Sequence, residues 1–301
     1  MPIMISNKLL ITGAKGQVGT ELVTQATDRG HEIHAFGSKE LDISNFEQVE
    51  KTVSALKPDV IINAAAYTAV DKAETERDLA YAVNAQGSEN LALVCKKLDI
   101  PLLHISTDYV YDGEKKSAYI ETDQPKPTGV YGASKLKGDQ KIEQICPKHI
   151  ILRVSWVFGE QGNNFVKTML RLAEQRDELS IVADQFGAPT SAKSISTCLL
   201  DILQSQHFNA SQCPWGVYNF QSDPGVTWFE FAQAIFQQAN DIGCITKTMK
   251  LKPIPSSEFP TPVKRPANSK LNGEKLQKHF NISPANWKAD LNTMLQAINN
   301  Q

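Results

Sequence analysis

Lys8-Leu9-Leu10-Ile11-Thr12 runs directly into Gly13-Ala14-Lys15-Gly16-Gln17-Val18-Gly19, and Leu22, Val23 and Ala26 then recur at helical spacing. A buried-strand pattern, a glycine turn and an amphipathic helix in that order commit the chain to a βα unit. Glycines let backbone N–H groups approach an anion, and the free donors and dipole of a helix N-terminus favour a pyrophosphate. The spacing is G-x-x-G-x-x-G rather than G-x-G-x-x-G, and the alternative is a tight turn that binds nothing. Gly13, Gly16, Gln17 and Val18 are the candidates for contact with a dinucleotide.

His31 to Phe36 alternates as a second strand and ends on Gly37-Ser38-Lys39. An NAD-selective site offers a carboxylate here to the ribose 2'-hydroxyl, whereas a 2'-phosphate needs neutral or cationic donors. Ser38 and Lys39, with no acidic residue at the strand's end, predict NADPH over NADH, and leave NADH open as a second donor. A merely solvated loop lysine is the alternative. Ser44-Asn45-Phe46-Glu47 has the form of a capping box opening a helix through Leu56. Asp42, beside Ile43, either meets the adenine edge or is a turn carboxylate. Asp59 to Asn63 reads as the third strand. In Ala64-Ala65-Ala66-Tyr67, the small residues either admit a flat cofactor ring or fill a tight core. Asp71 to Lys97 has helical period with a break near Asn84 to Gly87, and Asp99 to Ser106 is the fourth strand, ending at Thr107. Alternating units of this kind predict an α/β fold, a Rossmann-like doubly wound parallel sheet.

Tyr131-Gly132-Ala133-Ser134-Lys135 adds chemistry to that frame. If Tyr131 opens a helix, Lys135 lies one turn on and shares its face. A free tyrosine titrates near ~10, and an adjacent ammonium favours the phenolate, bringing the hydroxyl toward neutral pH. Thr107 emerges at the carboxyl end of a strand, where open α/β sheets bind ligands. An ordinary exposed helix face also gives Tyr-x-x-x-Lys. Beside a dinucleotide turn the three groups suit carbonyl reduction, the threonine orienting the oxygen and the tyrosine delivering a proton.

A formal net charge of -2 on 301 residues gives no electrostatic case for nucleic acid or an anionic membrane, so small-molecule chemistry is the default. Five cysteines, at 95, 146, 198, 213 and 244, form no C-x-x-C pair and read as reduced, packed thiols. Met1 to Asn7 does not have the pattern of a signal peptide, and no apolar run reaches the ~18 residues of a spanning helix. The expectation is a soluble cytoplasmic protein.

The second half opens on a strand, Ile150 to Val154, that carries Trp156 to the crevice, where it stacks on a sugar or base or else anchors the core. Asn164 to Arg176 is amphipathic, Leu179 to Val182 strand-like, and Ser194 to Leu203 a core helix. Val217 to Phe220 is a strand, and Thr227 to Ala239 is an aromatic-rich helix whose Phe229, Phe231 and Phe236 read as packing. Pro253 to Pro266 is extended loop. Arg265 pairs either with a diphosphate or with a surface carboxylate. Leu276 to Phe280 and Trp287 to Ile298 are helices expected to cover a substrate lobe. Residues 1–155 are thus the NADP(H)-binding domain, and 156–301 a smaller C-terminal substrate-binding lobe, interleaved because elements up to about 250 partly return to the main sheet.

Ser106-Thr-Asp-Tyr-Val-Tyr-Asp-Gly113, Glu121-Thr122-Asp123 and Tyr131-Gly132-x-x-Lys135 follow G-x-x-G-Q-V-G in one chain. Together they resemble the extended short-chain dehydrogenase/reductase superfamily. Asn63 to Glu74, Ser155 to Phe158, Gly162 to Phe165, Asp184 to Thr190 and Arg265 to Ser269 narrow the resemblance, over nearly the full length, to the reductases that complete dTDP-L-rhamnose synthesis. The resemblance implies that Thr107, Tyr131 and Lys135 form the catalytic triad. It places the cofactor over Gly16-Gln17-Val18, Asp42-Ile43 and Ala65-Ala66-Tyr67, and the sugar nucleotide against Thr107, Asp108 and Trp156. The implied reaction is hydride delivery from NADPH to the C4 ketone of dTDP-4-dehydro-β-L-rhamnose, with Tyr131 protonating the alkoxide, Lys135 binding the nicotinamide ribose and Thr107 polarising the carbonyl.

Two alternatives share the frame. A sugar-nucleotide epimerase or dehydratase would retain NAD, and Ser38 and Lys39 weigh against it. A non-catalytic regulatory homologue would not need the full triad. Some members of the family are described as dimers bridged by magnesium through two acidic residues. Glu21 matches the first position, but Lys193 stands at the second and cannot ligate a hard cation. The expectation is no metal site, and a monomer or a weak, metal-free homodimer.

Overall fold

The computed structural model describes residues 7–208 and 213–300. Residues 1–6, which fall in the stretch read above for a secretion signal, lie outside the described residues. The chain opens with β1 (Lys8–Thr12), α1 (Gln17–Asp28), β2 (Glu32–Phe36), α2 (Phe46–Leu56) and β3 (Val60–Asn63). The cap of α2 falls one residue later than the expected box: Asn45 accepts from the Gln48 N–H, at 3.1 Å. Ser44 is already committed, since its N–H and hydroxyl both donate to Asp42 Oδ1, at 2.9 and 2.7 Å.

After a 3₁₀ turn at Lys72–Glu74 come α3 (Arg77–Tyr81), a π-helical turn at Ala82–Gln86, and α4 (Gly87–Leu98). The break expected near Asn84 is this widened turn, which lets the Asn84 side chain reach across to neighbouring segments. Its oxygen accepts from the Tyr67 N–H at 2.8 Å, and its nitrogen donates to Tyr67 O and Ser134 Oγ at 3.1 and 3.0 Å. Next are β4 (Leu102–Thr107), α5 (Val130–Ile145) and β5 (His149–Val154).

The chain then leaves the sheet through β6 (Val157–Phe158), α6 (Phe165–Gln175), β7 (Glu178–Val182), β8 (Phe186–Gly187) and β9 (Thr190–Ser191). It returns with α7 (Ala192–Gln204), packed on α1, and β10 (Gly216–Asn219), paired to β5. The remainder comprises β11 (Ser222–Asp223), β12 (Val226–Thr227), α8 (Trp228–Asp241), β13 (Lys250–Ile254), α9 (Glu274–Phe280), β14 (Ala285–Asn286) and α10 (Trp287–Asn299).

The central sheet has the order β10-β5-β4-β3-β1-β2, with every pairing parallel. Its inner strands are apolar on both faces, as a sheet covered by helices on both sides requires; all six residues of β5 are buried. The order reverses between β1 and β3, so the crevice above their carboxyl ends is the switch point at which doubly wound sheets bind ligands.

A second apolar cluster lies beneath α6, α8 and α10, where Met169, Phe231, Phe236, Trp287 and Leu291 pack beside the β7–β13 pair. Phe231 and Phe236 are core residues here, and Phe229 packs against them. The expected place of the helix at 276–280 is corrected by the structure. Leu276 and Phe280 of α9 pack with Leu152 and Tyr218 of the main sheet, not on the lobe. Their spacing gives α9 an apolar face, and β10 is what that face covers. Among the described residues no helix is long and apolar enough to cross a membrane.

Candidate active site

Thr107 ends β4 and Tyr131 sits in the first turn of α5. Gly132 sets their approach: a Cβ there would lie 2.1 Å from the Tyr109 carbonyl oxygen, so only glycine lets α5 start against the loop after β4. The Thr107 side chain lies beside the Tyr131 phenol and favours its ionised form. Lys135, one turn on, is buried, and its ammonium does not sit under the phenol as helical spacing predicts. Nζ instead turns to His104 Nε2 at 3.0 Å and Ile105 O at 2.8 Å.

The expected fall in the Tyr131 pKa is therefore reversed. Burial raises it, the charges of Asp108, Tyr109 and Asp139 add to the rise, and Thr107 opposes. Burial also lowers Lys135 to about 8. The phenol stays protonated, as a proton donor must. Asp108, 4 % exposed, is pushed up to about 6 by burial, against the pull of nearby Ser269 and of the Thr107 hydroxyl, which donates to Oδ1 at 3.2 Å.

Gly13 adopts φ of +69°, and a Cβ there would meet the Ala64 backbone at 2.5 Å, so the turn after β1 touches the end of β3 at the switch point. Gly16 caps α1 with no side-chain partner, and no acidic residue stands in the first turn. By contrast α2, α6, α7, α8 and α10 are capped by Asn45, Asn164, Ser191, Thr227 and Asn286. The open donors at the start of α1 fit the pyrophosphate of a dinucleotide. Gln17 accepts from Asn164 Nδ2 at 2.9 Å, tying the turn to the lobe, and Val18 packs toward the sheet core.

Ala65 follows β3 and donates its N–H to Asn63 Oδ1 at 3.1 Å; Ala66 is half-buried beside it. The Tyr67 hydroxyl donates to Glu76 at 2.6 Å. Asp42 serves the turn described above, and Ile43 is buried against Gly87. Ser38 and Lys39 are exposed on the turn after β2. That turn corrects one expectation. Glu40 and Leu41 both donate backbone N–H groups to Gly37 O, at 3.0 Å each, and the Glu40 carboxylate folds back to the strand's end, where Lys15 pairs with it. An acidic group is present there after all, placed by the tight turn and neutralised from the glycine turn.

A cavity of about 760 Å³ opens beside the triad, lined by Tyr109, Trp156, Phe165, Gln185, Trp228 and Arg265 among others. The Tyr109 ring stands edge-on to that of Tyr131, with centroids 5.4 Å apart. Trp156 holds the left-handed φ of +48°, uncommon for a bulky residue, and stacks on Trp228 with centroids 3.5 Å apart. Gly187 makes room: a Cβ there would lie 2.3 Å from the Trp156 ring. Arg265 pairs with a carboxylate, its Nη2 donating to Asp71 at 2.6 Å, while Nη1 is buried with no partner. Trp228, Gln185, Asp71 and Tyr109 are absent from the sequence-based candidates. Trp228 had a signal, its place directly after the Thr227 cap.

Thr107, Tyr131 and Asp108 meet at the end of β4, Lys135 reaches back to His104 and Ile105 within the strand, and the glycine turn lies across the switch point from β3. Trp156 and Arg265 face the cavity, while Ser38 and Lys39 lie out on the surface turn. Glu21 and Lys193 are joined through Gln25, whose Nε2 donates to Glu21 Oε2 at 3.4 Å and to Lys193 O at 3.0 Å. Among the described residues no group of three or more His, Cys, Asp or Glu could hold a metal ion. All five cysteines are free, four of them buried.

A parallel doubly wound sheet, a glycine turn and a Thr with Tyr-x-x-x-Lys at its carboxyl edge define the class of extended short-chain dehydrogenase/reductases. More narrowly, residues 7–300 match the family model described as RmlD substrate binding domain, and the chain belongs to that family. It is 45% identical over 285 residues to dTDP-4-dehydrorhamnose reductase of Aggregatibacter actinomycetemcomitans, covering 94% of this chain and 97% of the relative. It is 39% identical over 294 residues to the protein of that name from Escherichia coli K12, covering 96% and 97%. The crystal structure of dTDP-4-dehydrorhamnose reductase from Bacillus anthracis in complex with NADP superposes with a TM-score of 0.89 at 36% identity, covering 97% of this chain and 100% of that one.

Proposed function

We propose that this chain reduces dTDP-4-dehydro-β-L-rhamnose to dTDP-L-rhamnose with NADPH. The observation that carries the proposal is the close approach of Tyr131, in the first turn of α5, to Thr107 at the end of β4, with Lys135 one turn on and an aromatic cavity alongside. NADPH, when bound, supplies the hydride. Gly13, Gly16, Gln17 and Val18 hold its diphosphate at the N-terminus of α1. Asp42 and Ile43 border its adenine, Ala65, Ala66 and Tyr67 its ribose and ring, and Ser38 and Lys39 the 2'-phosphate.

Thr107 orients the C4 carbonyl, and Tyr131 gives its phenolic proton to the oxygen as the alkoxide forms. Lys135 engages the nicotinamide ribose. Asp108 holds a sugar hydroxyl, Trp156 presents an aromatic surface to the nucleotide, and the free Nη1 of Arg265 meets a phosphate oxygen. The sheet with its flanking helices is the cofactor domain, and the lobe of α6, α8 and α10 is the substrate lobe. The protein works in the cytoplasm as a monomer or weak homodimer.

The relatives at 38–45% identity are named as reductases, and so the epimerase and regulatory alternatives are not favoured. The test is NADPH oxidation with the dTDP-keto-deoxyhexose generated in situ. Stoichiometric NADPH loss is expected, and Tyr131→Phe should cut kcat about 10²- to 10⁴-fold while leaving NADPH affinity nearly unchanged. Unchanged turnover in that variant removes Tyr131 from the chemistry.

A further inference from the structure

Beneath the triad lies a chain of buried polar groups that the proposed reaction does not use. Asn63 Oδ1 accepts from the Thr12 hydroxyl at 2.6 Å and from the Ala65 backbone N–H at 3.1 Å. A backbone N–H can only donate, so the orientation of the Asn63 amide is settled. Its Nδ2 therefore donates to His104 Nδ1, at 2.9 Å. A neutral imidazole that accepts at Nδ1 carries its proton on Nε2. That Nε2–H faces Lys135 Nζ at 3.0 Å. An ammonium has no lone pair to receive it, whereas an amine does, and the amine still donates one hydrogen to Ile105 O at 2.8 Å.

We propose that His104 is a positioning residue that, through its Nε2–H, favours the neutral amine form of Lys135 in the cofactor-free protein. The inference rests on the role of Lys135 in the reaction proposed above. Asp139 supplies the other position of the switch. Its Oδ2 accepts from Ser106 at 2.7 Å, but Oδ1 is buried without a partner, 3.7 Å from His104 Nε2. When Nζ takes a proton from water and becomes a donor only, the His104 N–H turns to that free oxygen.

The other charged or titratable groups facing this cluster are Arg153 and His149 from β5, Glu143 on α5, and Tyr131 itself. Arg153 Nε, 3.6 Å from Asp139, is also unpartnered, so the carboxylate keeps a countercharge as the histidine swings. Burial holds His104 well below its ordinary range, which keeps the ring neutral.

Two measurements test this. In protein labelled with ¹⁵N-histidine, six rings contribute signals, and His104 is identified by its loss in His104→Gln or by replacing the other five one at a time. An unprotonated Nδ1 and a protonated Nε2 from pH 6 to 9 are expected; an Nδ1–H tautomer or a charged ring overturns the proposal. This readout needs no turnover, so it stands whether or not the proposed substrate is correct. The second is the alkaline limb of kcat/KM. Asn63→Asp turns the hydrogen-bond chain round, so that His104 Nε2 becomes an acceptor, and should move the limb up by about one pH unit, a tenfold gain in proton affinity. His104→Leu should move it the same way, and His104→Gln, which can accept from Asn63 and donate to Lys135, should leave it in place. A limb common to all variants, or one that moves as far in His104→Gln as in His104→Leu, refutes a role beyond packing.

Discussion

Replacing Asp108 by asparagine should change how stability depends on pH. The carboxyl group is 4 % exposed, its Oδ2 has no partner, and its pKa rises from 3.8 to about 6. A folded-state pKa above the unfolded one means that the fold prefers the protonated form. That preference is fully present below pH 3.8 and is lost as the pH climbs through about 6. At about 1.4 kcal/mol per pH unit, the carboxylate costs the fold about 3 kcal/mol by pH 8, of which about 1.4 kcal/mol accrues above pH 5. In Asp108→Asn the side-chain amide does not titrate, so it lowers or raises stability by an amount independent of pH. Urea unfolding of both proteins at pH 5, 6, 7 and 8 should therefore show the variant gaining about 1.4 kcal/mol on the wild type across that range. Parallel profiles would refute the assignment of a strained, buried carboxylate at the substrate edge.

Three further outcomes are expected. Gly187→Ala drives a methyl group into the Trp156 ring, at a Cβ distance of 2.3 Å; the cost of about 1–3 kcal/mol should raise KM for the sugar nucleotide about tenfold and spare NADPH affinity, both measured at steady state. Lys15→Ala leaves the Glu40 carboxylate unpaired at the end of β2, so the ratio of kcat/KM for NADPH over NADH should fall at least about tenfold, and a ratio that stays constant would separate this ion pair from cofactor choice. In sedimentation velocity, magnesium and chelator should give the same species distribution, because the Lys193 ammonium cannot ligate a hard cation; a dimer that appears only with magnesium would contradict this.

What the sequence discloses is what short-range pattern can carry. The apolar run before Gly13 and the helical spacing after Gly19 fix β1 and α1, and the same logic finds the strands up to β5 and again β10. Partners across the fold do not have a local signature. Leu276 and Phe280 announce a buried face but not that β10 lies under it. Tyr131 and Lys135 share a helix face, yet the lysine turns to His104 because burial leaves its amine in need of close partners. Glu40 is three residues beyond Gly37, and only the turn geometry carries its carboxylate back. Ser44 looks like a helix cap until Asp42 takes its hydroxyl. Each of these is a competition between near neighbours and distant ones, decided in three dimensions.

The late arrival of β10 has a consequence for synthesis on the ribosome. Until residue 219 has emerged, β5 is the rim of the sheet, with six buried residues and a row of unpaired amides offered to any extended chain nearby. Everything from Val157 to Gln204 must be made, and in large part folded, before that rim is sealed. The nascent parallel sheet is thus at its most adhesive while the rest of the chain is being translated, and a chain cut short before β10 should be insoluble rather than a minimal independently folded fragment.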